Sequence, residues 1–260
     1  MNGRRVALIT GGSRGIGAAT ARRLATDGFA VAINYRERDD AAAALAADIA
    51  SGGGVAITVG GDVASEPDVM RMFAEVDDRL GPVTAVVNSA GISGNKSAVA
   101  RFRGDVLQRL LAVNVLGTML CCREAVRRMS IAHGGAGGAI VNVSSMASTI
   151  GGRPGASDYG ASKAAVDAFT VGLAKEVADE GVRVNAIRPG MVITDMTDEQ
   201  RSDPDRFAVL CATIPMNRMA TAEEIADPIA WLLSDAASFI TGACVDASGG
   251  GFVVGQRQKV

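Results

Sequence analysis

Short apolar runs alternate with helical patterns along almost the whole chain, and this alternation limits the possible folds more than any other feature. The runs are rich in β-branched residues and end in glycine or small polar residues, as strands buried on both faces do. Seven runs are predicted as strands: Val6–Thr10, Phe29–Asn34, Val55–Val59, Val83–Val87, Ala139–Val143, Val182–Ile187 and Ala243–Ala247. The sequence therefore predicts a single α/β domain over residues 1–260: a Rossmann-type doubly wound sheet of about seven parallel strands, with helices on both faces.

The first strand runs directly into the glycine-rich segment GGSRGIG, within which an amphipathic helical pattern begins. Glycines stand at positions 11, 12, 15 and 17. A backbone without Cβ atoms can approach a pyrophosphate closely, and the free N–H groups of a helix N-terminus attract anions. The segment indicates a site for the phosphates of a dinucleotide, and a tight strand-to-helix turn is the alternative interpretation.

The turn after the second strand selects the cofactor in folds of this class. An acidic side chain there accepts hydrogen bonds from a ribose 2′-hydroxyl, whereas an arginine suits a 2′-phosphate. Asn34, Tyr35 and Arg36 occupy this turn. Arg36, together with Arg14 from the glycine segment, favours NADP(H), while the neighbouring Glu37 leaves NAD(H) possible. A solvated charge cluster is the alternative interpretation of Arg36.

Tyr159 and Lys163 stand four residues apart in a helical pattern, so their side chains share one helix face. A phenol titrates near ~10 in water and exchanges protons poorly at neutral pH, unless a nearby cation favours its ionised form. Lys163 can be that cation. The pair suggests a general acid/base that acts on an alcohol or a carbonyl group.

Three further polar residues lie at positions where chemistry or structure would need them. Ser144 and Ser145 follow the fifth predicted strand, where a serine more often makes a local turn bond. Asn114 lies in the longest helical pattern, over residues 103–130, among apolar neighbours. It needs hydrogen-bond partners if it is buried, and a satisfied core amide is as good an interpretation as a functional one.

Composition excludes several other classes of function. The net charge of −2 and the pI near 5.5 give no basic patch for nucleic acid. The four cysteines form no CxxC pair, and one histidine is too few for an ordinary zinc site, so no metal site is predicted. The N-terminal region contains neither a signal-peptide pattern nor a membrane span. We therefore expect a cytoplasmic protein with no membrane partner.

Taken together, the motifs resemble those of the short-chain dehydrogenase/reductase family over nearly the full length, especially its bacterial sugar dehydrogenases and 3-oxoacyl carrier-protein reductases. The matching stretches are TGGSRGIG at 10–17, Asp62-Val63, NSAG at 88–91, Asn114, Ser145, YGASK at 159–163 and PGMVIT at 189–194. One glycine motif would be weak evidence, but this series in the order of the family is specific.

The resemblance implies a role for each of these residues. Tyr159 exchanges a proton with the substrate oxygen, Lys163 lowers the pKa of the phenol, and Ser145 polarises the carbonyl. Asn114 anchors a water in the proton relay. With the cofactor-selecting turn, the implied cofactor-binding residues are Gly11, Ser13, Arg14, Ile16, Gly17, Asn34, Tyr35, Arg36, Asp62, Val63, Asn88, Ala90, Gly91, Tyr159, Lys163, Pro189, Gly190, Val192 and Thr194.

Two departures from the family pattern leave questions open. Ser89 replaces the second asparagine of the usual NNAG, and the spacing from Ser145 to Tyr159 is one residue longer than in many relatives. Ser144 therefore stays an alternative to Ser145 as the catalytic serine.

The expected function is hydride transfer between a nicotinamide and a small-molecule carbonyl or secondary alcohol, such as a ketone, a 3-oxoacyl group or a sugar or polyol. A cofactor-binding regulatory or structural subunit without catalysis is the alternative. Residues 191–219 are the least regular part and are predicted to form a substrate lid. The resemblance also implies a homo-oligomer, a tetramer, assembled through the long helices. The half-apolar tail 252–260 is interpreted as a subunit contact or a frayed terminus.

Overall fold

Seven parallel strands form one sheet in the order β3-β2-β1-β4-β5-β6-β7. The structure is a computed structural model that describes residues 4–251, so the tail 252–260 and its predicted role lie outside the described residues. The strands are β1 Val6–Thr10, β2 Ala30–Tyr35, β3 Val55–Gly60, β4 Ala85–Asn88, β5 Gly138–Val143, β6 Val182–Pro189 and β7 Cys244–Ala247. The order reverses between β1 and β4, which creates a crevice at the carboxyl ends of these strands. The predicted fold class is confirmed.

The helices cover both faces of the sheet. They are α1 Gly15–Thr26, α2 Asp39–Ser51, α3 Glu66–Leu80, α4 Gly104–Leu111, α5 Thr118–Met129, α6 Ala147–Ile150, α7 Ser157–Val177, α8 Asp198–Arg201, α9 Pro204–Ala212 and α10 Glu223–Leu233. Helix α3 shows how the sequence sets a boundary: the Ser65 hydroxyl accepts the N–H of Asp68 at 3.4 Å, and Gly81 follows the last residue.

Alternating residues of the central strands face two separate cores. Leu8 of β1 and Val86 of β4 pack with α3, α5 and α7, whereas Ile9 and Val87 pack on the other face with α1 and α10. All four of these side chains are fully buried. The continuous apolar character of the runs is explained by this two-sided burial.

The segment Gly104–Met129 departs from the single helix predicted over residues 103–130. A π-helical turn, Ala112–Gly117, separates α4 from α5 and contains Asn114. By length and composition the segment could cross a membrane, since an 18-residue window has a mean hydropathy of 1.3. Its buried residues Val113, Leu120, Ala125 and Met129 belong to the core under the sheet, as those of a core helix do.

The segment 191–219 is more regular than its composition predicted. It contains a 3-10 turn at Asp195–Thr197 and the helices α8 and α9. A separate small core of Leu210, Cys211, Ile214 and Met219 packs α9 against the residues that follow it. Acidic and proline residues within it start short helices, as they do in a first helical turn, instead of breaking the segment into irregular loop.

Candidate active site

A cleft of about 460 Å³ lies at the carboxyl ends of the strands, where the strand order reverses. Most of the predicted site residues line it: Gly11, Ser13, Arg14, Ile16, Asn34, Tyr35, Arg36, Asp62, Val63, Ala90, Gly91, Ser145, Tyr159, Lys163, Pro189, Gly190, Val192 and Thr194. Gly17, Asn88 and Asn114 are not part of the lining. The two predicted halves of the site, the glycine segment and the Tyr159 helix, therefore share one cleft.

The glycine turn is held in place by Asn34. The Asn34 Oδ1 accepts the N–H of Gly11 at 3.2 Å, and its Nδ2 donates to the carbonyls of Val59 and Gly61 at 3.2 and 3.1 Å. Gly11 has a φ of +59°, and a Cβ there would lie 2.8 Å from the Cα of Ala90. Asn34 therefore lines the cleft as a support of the turn, with its amide already bound to protein.

Helix α1 begins at this turn with its first N–H groups free of side-chain caps. Its N-cap residue, Arg14, makes no capping hydrogen bond. Gly17 lies behind the lining, because a Cβ at that position would lie 2.4 Å from the carbonyl oxygen of Gly11. Gly17 therefore serves the close packing of the turn and does not contact a ligand directly.

Several arginines line or adjoin the part of the cleft that follows the carboxyl end of β2. Arg36 pairs with Glu37 and lies 3.9 Å from Asp62, while Arg109 contacts the same Asp62 carboxylate at 2.8 Å. Arg38 lines the cleft beside them. Arg38 could have been recognised from its place in the turn after β2, but Arg109 comes from α4 and only the fold brings it to Asp62.

The other lining residues to which the sequence assigned no role are Gly15, Gly61, Ser89, Ile92, Ser93, Val113, Val143, Asp195, Met196 and Thr197. Most of these residues are next to a recognised motif in the sequence. That proximity was the signal by which they could have been predicted.

Tyr159, Lys163 and Ser145 come together where β5 meets the start of α7. Tyr159 is half-buried, and the Ser145 side chain lies near enough to its phenol to influence the pKa. The Lys163 Nζ lies 5.9 Å from the centre of the Tyr159 ring and donates to the carbonyl of Val143 at 2.8 Å. The lysine is buried, and Gly91 lies beside it, since a Cβ added there would stand 3.5 Å from Nζ, in ordinary van der Waals contact.

Burial shifts the pKa values of both side chains. It raises the pKa of the Tyr159 phenol above its ordinary value, and the nearby Ser145 side chain only partly offsets this. Burial lowers the pKa of Lys163 to about 8, against an opposing effect of the Asp167 carboxylate. The expected lowering of the phenol pKa by Lys163 is therefore not seen: burial and Ser145 determine the direction of the shift, and Lys163 is not among its causes.

The two adjacent serines differ in their surroundings. The Ser144 hydroxyl is buried and donates to the carbonyl of Lys163 at 3.2 Å. Ser145 is half-buried, accepts the N–H of Ala147 at 3.1 Å and reaches the Tyr159 hydroxyl. Both line the cleft, but the contact with the phenol favours Ser145 for the predicted role.

The two predicted asparagines are engaged within the protein. Asn114 accepts the N–H of Ile92 at 2.9 Å, and its Nδ2 donates to the Ile92 carbonyl at 3.0 Å and to the Ser162 hydroxyl at 3.1 Å. Asn88 donates to Asn142 at 2.8 Å inside the sheet, which keeps it behind the cleft surface. Both amides support the site from behind, and the water-anchoring role of Asn114 stays a prediction.

The sheet, the glycine turn and the Ser145–Tyr159–Lys163 group define a dinucleotide-dependent oxidoreductase that acts on CH–OH or C=O groups. A family model described as enoyl-(acyl carrier protein) reductase matches residues 11–251. The uncharacterized oxidoreductase YgfF of Escherichia coli is 46% identical over 245 residues, which cover 94% of this chain and 99% of that protein. The 3-oxoacyl-[acyl-carrier-protein] reductase of Synechocystis is 38% identical over 246 residues, covering 94% and 96%.

Solved structures give the same result. A gluconate 5-dehydrogenase from Burkholderia cenocepacia, in complex with NADP and tartrate, superposes with a TM-score of 0.88 at 33% identity, covering 96% of this chain and 95% of that one. The chain belongs to the short-chain dehydrogenase/reductase family. It is thus an NAD(P)-dependent oxidoreductase, and the predicted family and enzyme class are confirmed.

Proposed function

We propose that this protein is an NADP(H)-dependent oxidoreductase that reduces a small-molecule carbonyl, or oxidises the matching secondary alcohol, with Tyr159 as general acid/base. The observation that carries the proposal is that Ser145, Tyr159 and Lys163 line the same cleft as the glycine turn, with the Lys163 Nζ 5.9 Å from the centre of the Tyr159 ring. A ketone, a 3-oxoacyl group and a sugar or polyol all offer the required carbon–oxygen bond. We place the protein in the cytoplasm and expect no nucleic-acid or membrane partner.

The residues of the cleft fit a dinucleotide. The uncapped N-terminus of α1 offers N–H groups to a diphosphate, and the closely packed Gly11 and Gly17 let the backbone approach it. Asp62 and Val63 would hold the adenine, and Thr194 the carboxamide. Arg36, half-exposed after β2, supplies a guanidinium for a 2′-phosphate and is the reason to prefer NADP(H).

Hydride exchange is the chemistry that the nicotinamide supplies when bound. The residues of the protein provide the rest. The Tyr159 phenol is protonated at neutral pH even at its ordinary pKa, and burial raises that pKa further, so it holds a proton that it can give to the oxygen of a carbonyl substrate. The Ser145 hydroxyl can donate to the same oxygen as negative charge develops on it, and the Lys163 ammonium favours the phenolate that remains.

A spectroscopic panel tests the proposal. Purified protein is supplied with NADPH or NADH and with ketones, 3-oxoacyl thioesters and sugars or polyols, and absorbance at the nicotinamide band is followed. We expect turnover of at least one class, with a higher kcat/KM for NADPH. Binding of NADPH without any turnover would instead support the regulatory or structural alternative.

Arg36→Asp tests the choice of cofactor. The substitution places a carboxylate where a 2′-phosphate would lie, so the NADPH/NADH ratio of kcat/KM should fall by about a hundredfold. Arg22→Asp is the matched control, because Arg22 is exposed on α1 and pairs with Asp48 outside the main cleft. An unchanged ratio in Arg36→Asp would mean that Arg36 is only a solvated surface residue.

A further inference from the structure

The segment of residues 91–103 forms one wall of the cleft beside Tyr159. Its residues Ile92 and Ser93 line the cleft directly. Ile92 is fixed from behind by Asn114, which binds both its N–H and its carbonyl. One end of the wall is therefore anchored, and the position of the remainder depends on what holds it farther along the chain.

A buried carboxylate binds the segment at Asn95. The Asp158 Oδ2 accepts the backbone N–H of Asn95 at 2.8 Å and its Nδ2–H at 3.0 Å. Asp158 is only 5% exposed, and its Oδ1 accepts the N–H of Tyr159 at 2.8 Å. The Asn95 Oδ1 in turn accepts the N–H of Arg103 at 2.8 Å, which closes the segment into a loop.

The fit around this carboxylate is close. A Cβ at Gly94 would lie 2.1 Å from the Asp158 Oδ2, and a Cβ at Gly155 would lie 3.4 Å from the backbone N of Ser97. Lys96 adopts a left-handed conformation with a φ of 47°. A side-chain residue keeps this conformation only when its surroundings fix it, and the hydrogen bonds of the adjacent Asn95 do so.

We propose that Asp158 is a positioning residue, whose carboxylate clamps Asn95 and so fixes the 91–103 segment as the substrate-facing wall next to Tyr159. Asp158 precedes Tyr159 on α7, so a single residue ties the wall to the helix that carries the phenol. The wall and the phenol thus keep a fixed separation, and the bound carbonyl meets the hydroxyl in one orientation. The substrate-related part of this inference rests on the proposed function.

Hydrogen exchange of the ligand-free protein tests the clamp without any substrate. In Asp158→Asn, one carboxylate acceptor becomes an N–H donor, so the side chain can no longer bind both Tyr159 and Asn95. Asn95→Ala removes one donor and the link to Arg103. We expect amide exchange in peptides covering 92–103 to rise about tenfold or more in each variant, with peptides covering 11–17 unchanged. The double variant should exchange no faster than the faster single variant.

Two further variants sharpen the result. Gly94→Ala leaves both clamp residues in place but pushes its Cβ against the carboxylate, and it should produce the same local increase in exchange. Asp105→Asn makes the same chemical change at an exposed carboxylate, paired with Arg103, and should change nothing at 92–103. If Asp158→Asn does not fold, the exchange rates of Asn95→Ala and Gly94→Ala still test whether the clamp fixes the 91–103 segment.

Kinetics separate a positioning role from a structural one. With acetoacetyl-coenzyme A as a 3-oxoacyl probe, or whichever panel compound turns over, KM should rise about tenfold in Asp158→Asn while the NADPH Kd from fluorescence stays within about twofold. Unchanged exchange at 92–103 in all three variants would overturn the proposal, as would a uniform increase along α7. Failure of the wild-type protein to bind NADPH would overturn the proposed function alone.

Discussion

Among single residues, the two adjacent serines give the sharpest contrast, because only one of them reaches the phenol. Ser145→Ala removes the hydroxyl that contacts Tyr159 and should lower kcat by about a hundredfold, in the range typical of a lost donor to a developing oxyanion. Ser144→Ala removes a buried hydrogen bond to the Lys163 carbonyl and should lower kcat by less than about tenfold. Steady-state kinetics on the panel substrate measure both.

The opposite order would contradict this assignment. If Ser145→Ala keeps full activity while Ser144→Ala abolishes it, Ser144 is the catalytic serine. Thermal melting of both variants is the control, since Ser144 is buried and its loss can also lower stability.

Lys163 makes the stability of the protein depend on pH. Its folded pKa of about 8 lies below the ordinary value of 10.5, so the folded state releases this proton before the unfolded chain does. Between these two values the unfolded state binds more protons, and the free energy of unfolding rises with pH. From pH 7.5 to 9.5 this group should add about 2 kcal/mol.

Lys163→Met isolates that contribution. Urea unfolding is measured at pH 7.5 and 9.5, at one protein concentration. The free energy of unfolding should rise between these pH values in the wild-type protein, and the rise should be about 2 kcal/mol smaller in the variant. The raised pKa of Tyr159 affects both proteins alike and cancels in the difference. The same pH increment in both proteins would mean that Lys163 is not buried as an ammonium group.

For whole elements, two helical glycines predict opposite effects of one substitution. Gly17 in α1 faces the carbonyl of Gly11, whereas at Gly172 in α7 no described atom apart from the backbone of that helix lies within 4 Å of an added Cβ. Gly17→Ala must displace the backbone, so it should lower the free energy of unfolding by about 3 kcal/mol or more. It should also weaken NADPH binding. Gly172→Ala should raise stability by about 1 kcal/mol, the ordinary gain from alanine in a helix.

Urea unfolding and NADPH fluorescence compare the two glycine variants. Gly172→Ala should bind NADPH as the wild-type protein does. A Gly17→Ala protein with wild-type stability would show that α1 and the glycine turn can separate freely. A destabilised Gly172→Ala would point to a neighbour that covers this face of α7.

The sequence predicted the elements well where local chemistry decides them. β-branched runs predicted all seven strands to within a few residues. The π-helical turn around Asn114 was not predicted, because residues 103–130 keep one helical period across it. The turn lies where Gly117 meets Val63, with a hypothetical Cβ 2.8 Å away, a contact between residues distant in the chain.

For the candidate site too, local sequence patterns predicted some residues, and contacts between distant parts of the chain were not predictable. Tyr159, Lys163 and the glycine turn were predictable from spacing, and they line the cleft. Arg109 beside Asp62 and the clamp between Asp158 and Asn95 join distant parts of the chain, so no local pattern carries them. The direction of the Tyr159 pKa shift also needed the structure, since burial and not the lysine decides it.

Across the whole molecule, the cleft depends on both halves of the sheet. The glycine turn after β1 and the Tyr159 helix after β5 meet only because the strand order reverses between β1 and β4. Thr10 joins these halves, since its Oγ1 accepts the N–H groups of Ser89 and Ala90 at 3.1 and 3.2 Å. The site is thus a property of the complete sheet, and no half of it contains the full set of groups.

The predicted tetramer places the long helices between subunits. Two large apolar side chains of the Gly104–Met129 segment face outward, Leu111 at 42% and Leu116 at 46% exposure. A charge at either position would be buried without a partner in such an interface and would oppose assembly. Sedimentation of the wild-type protein should give about four times the chain mass, and Leu111→Glu and Leu116→Glu should each give smaller species.

Met70→Glu is the matched control for this experiment. Met70 is exposed to a similar degree, at 48%, but lies on α3, away from the proposed interface. The control should therefore sediment as the wild-type protein does, because a charge on a solvent-facing helix position costs little. If all three variants keep the wild-type mass, the subunits meet through another surface, and if the wild-type protein sediments as a monomer, the predicted tetramer is wrong.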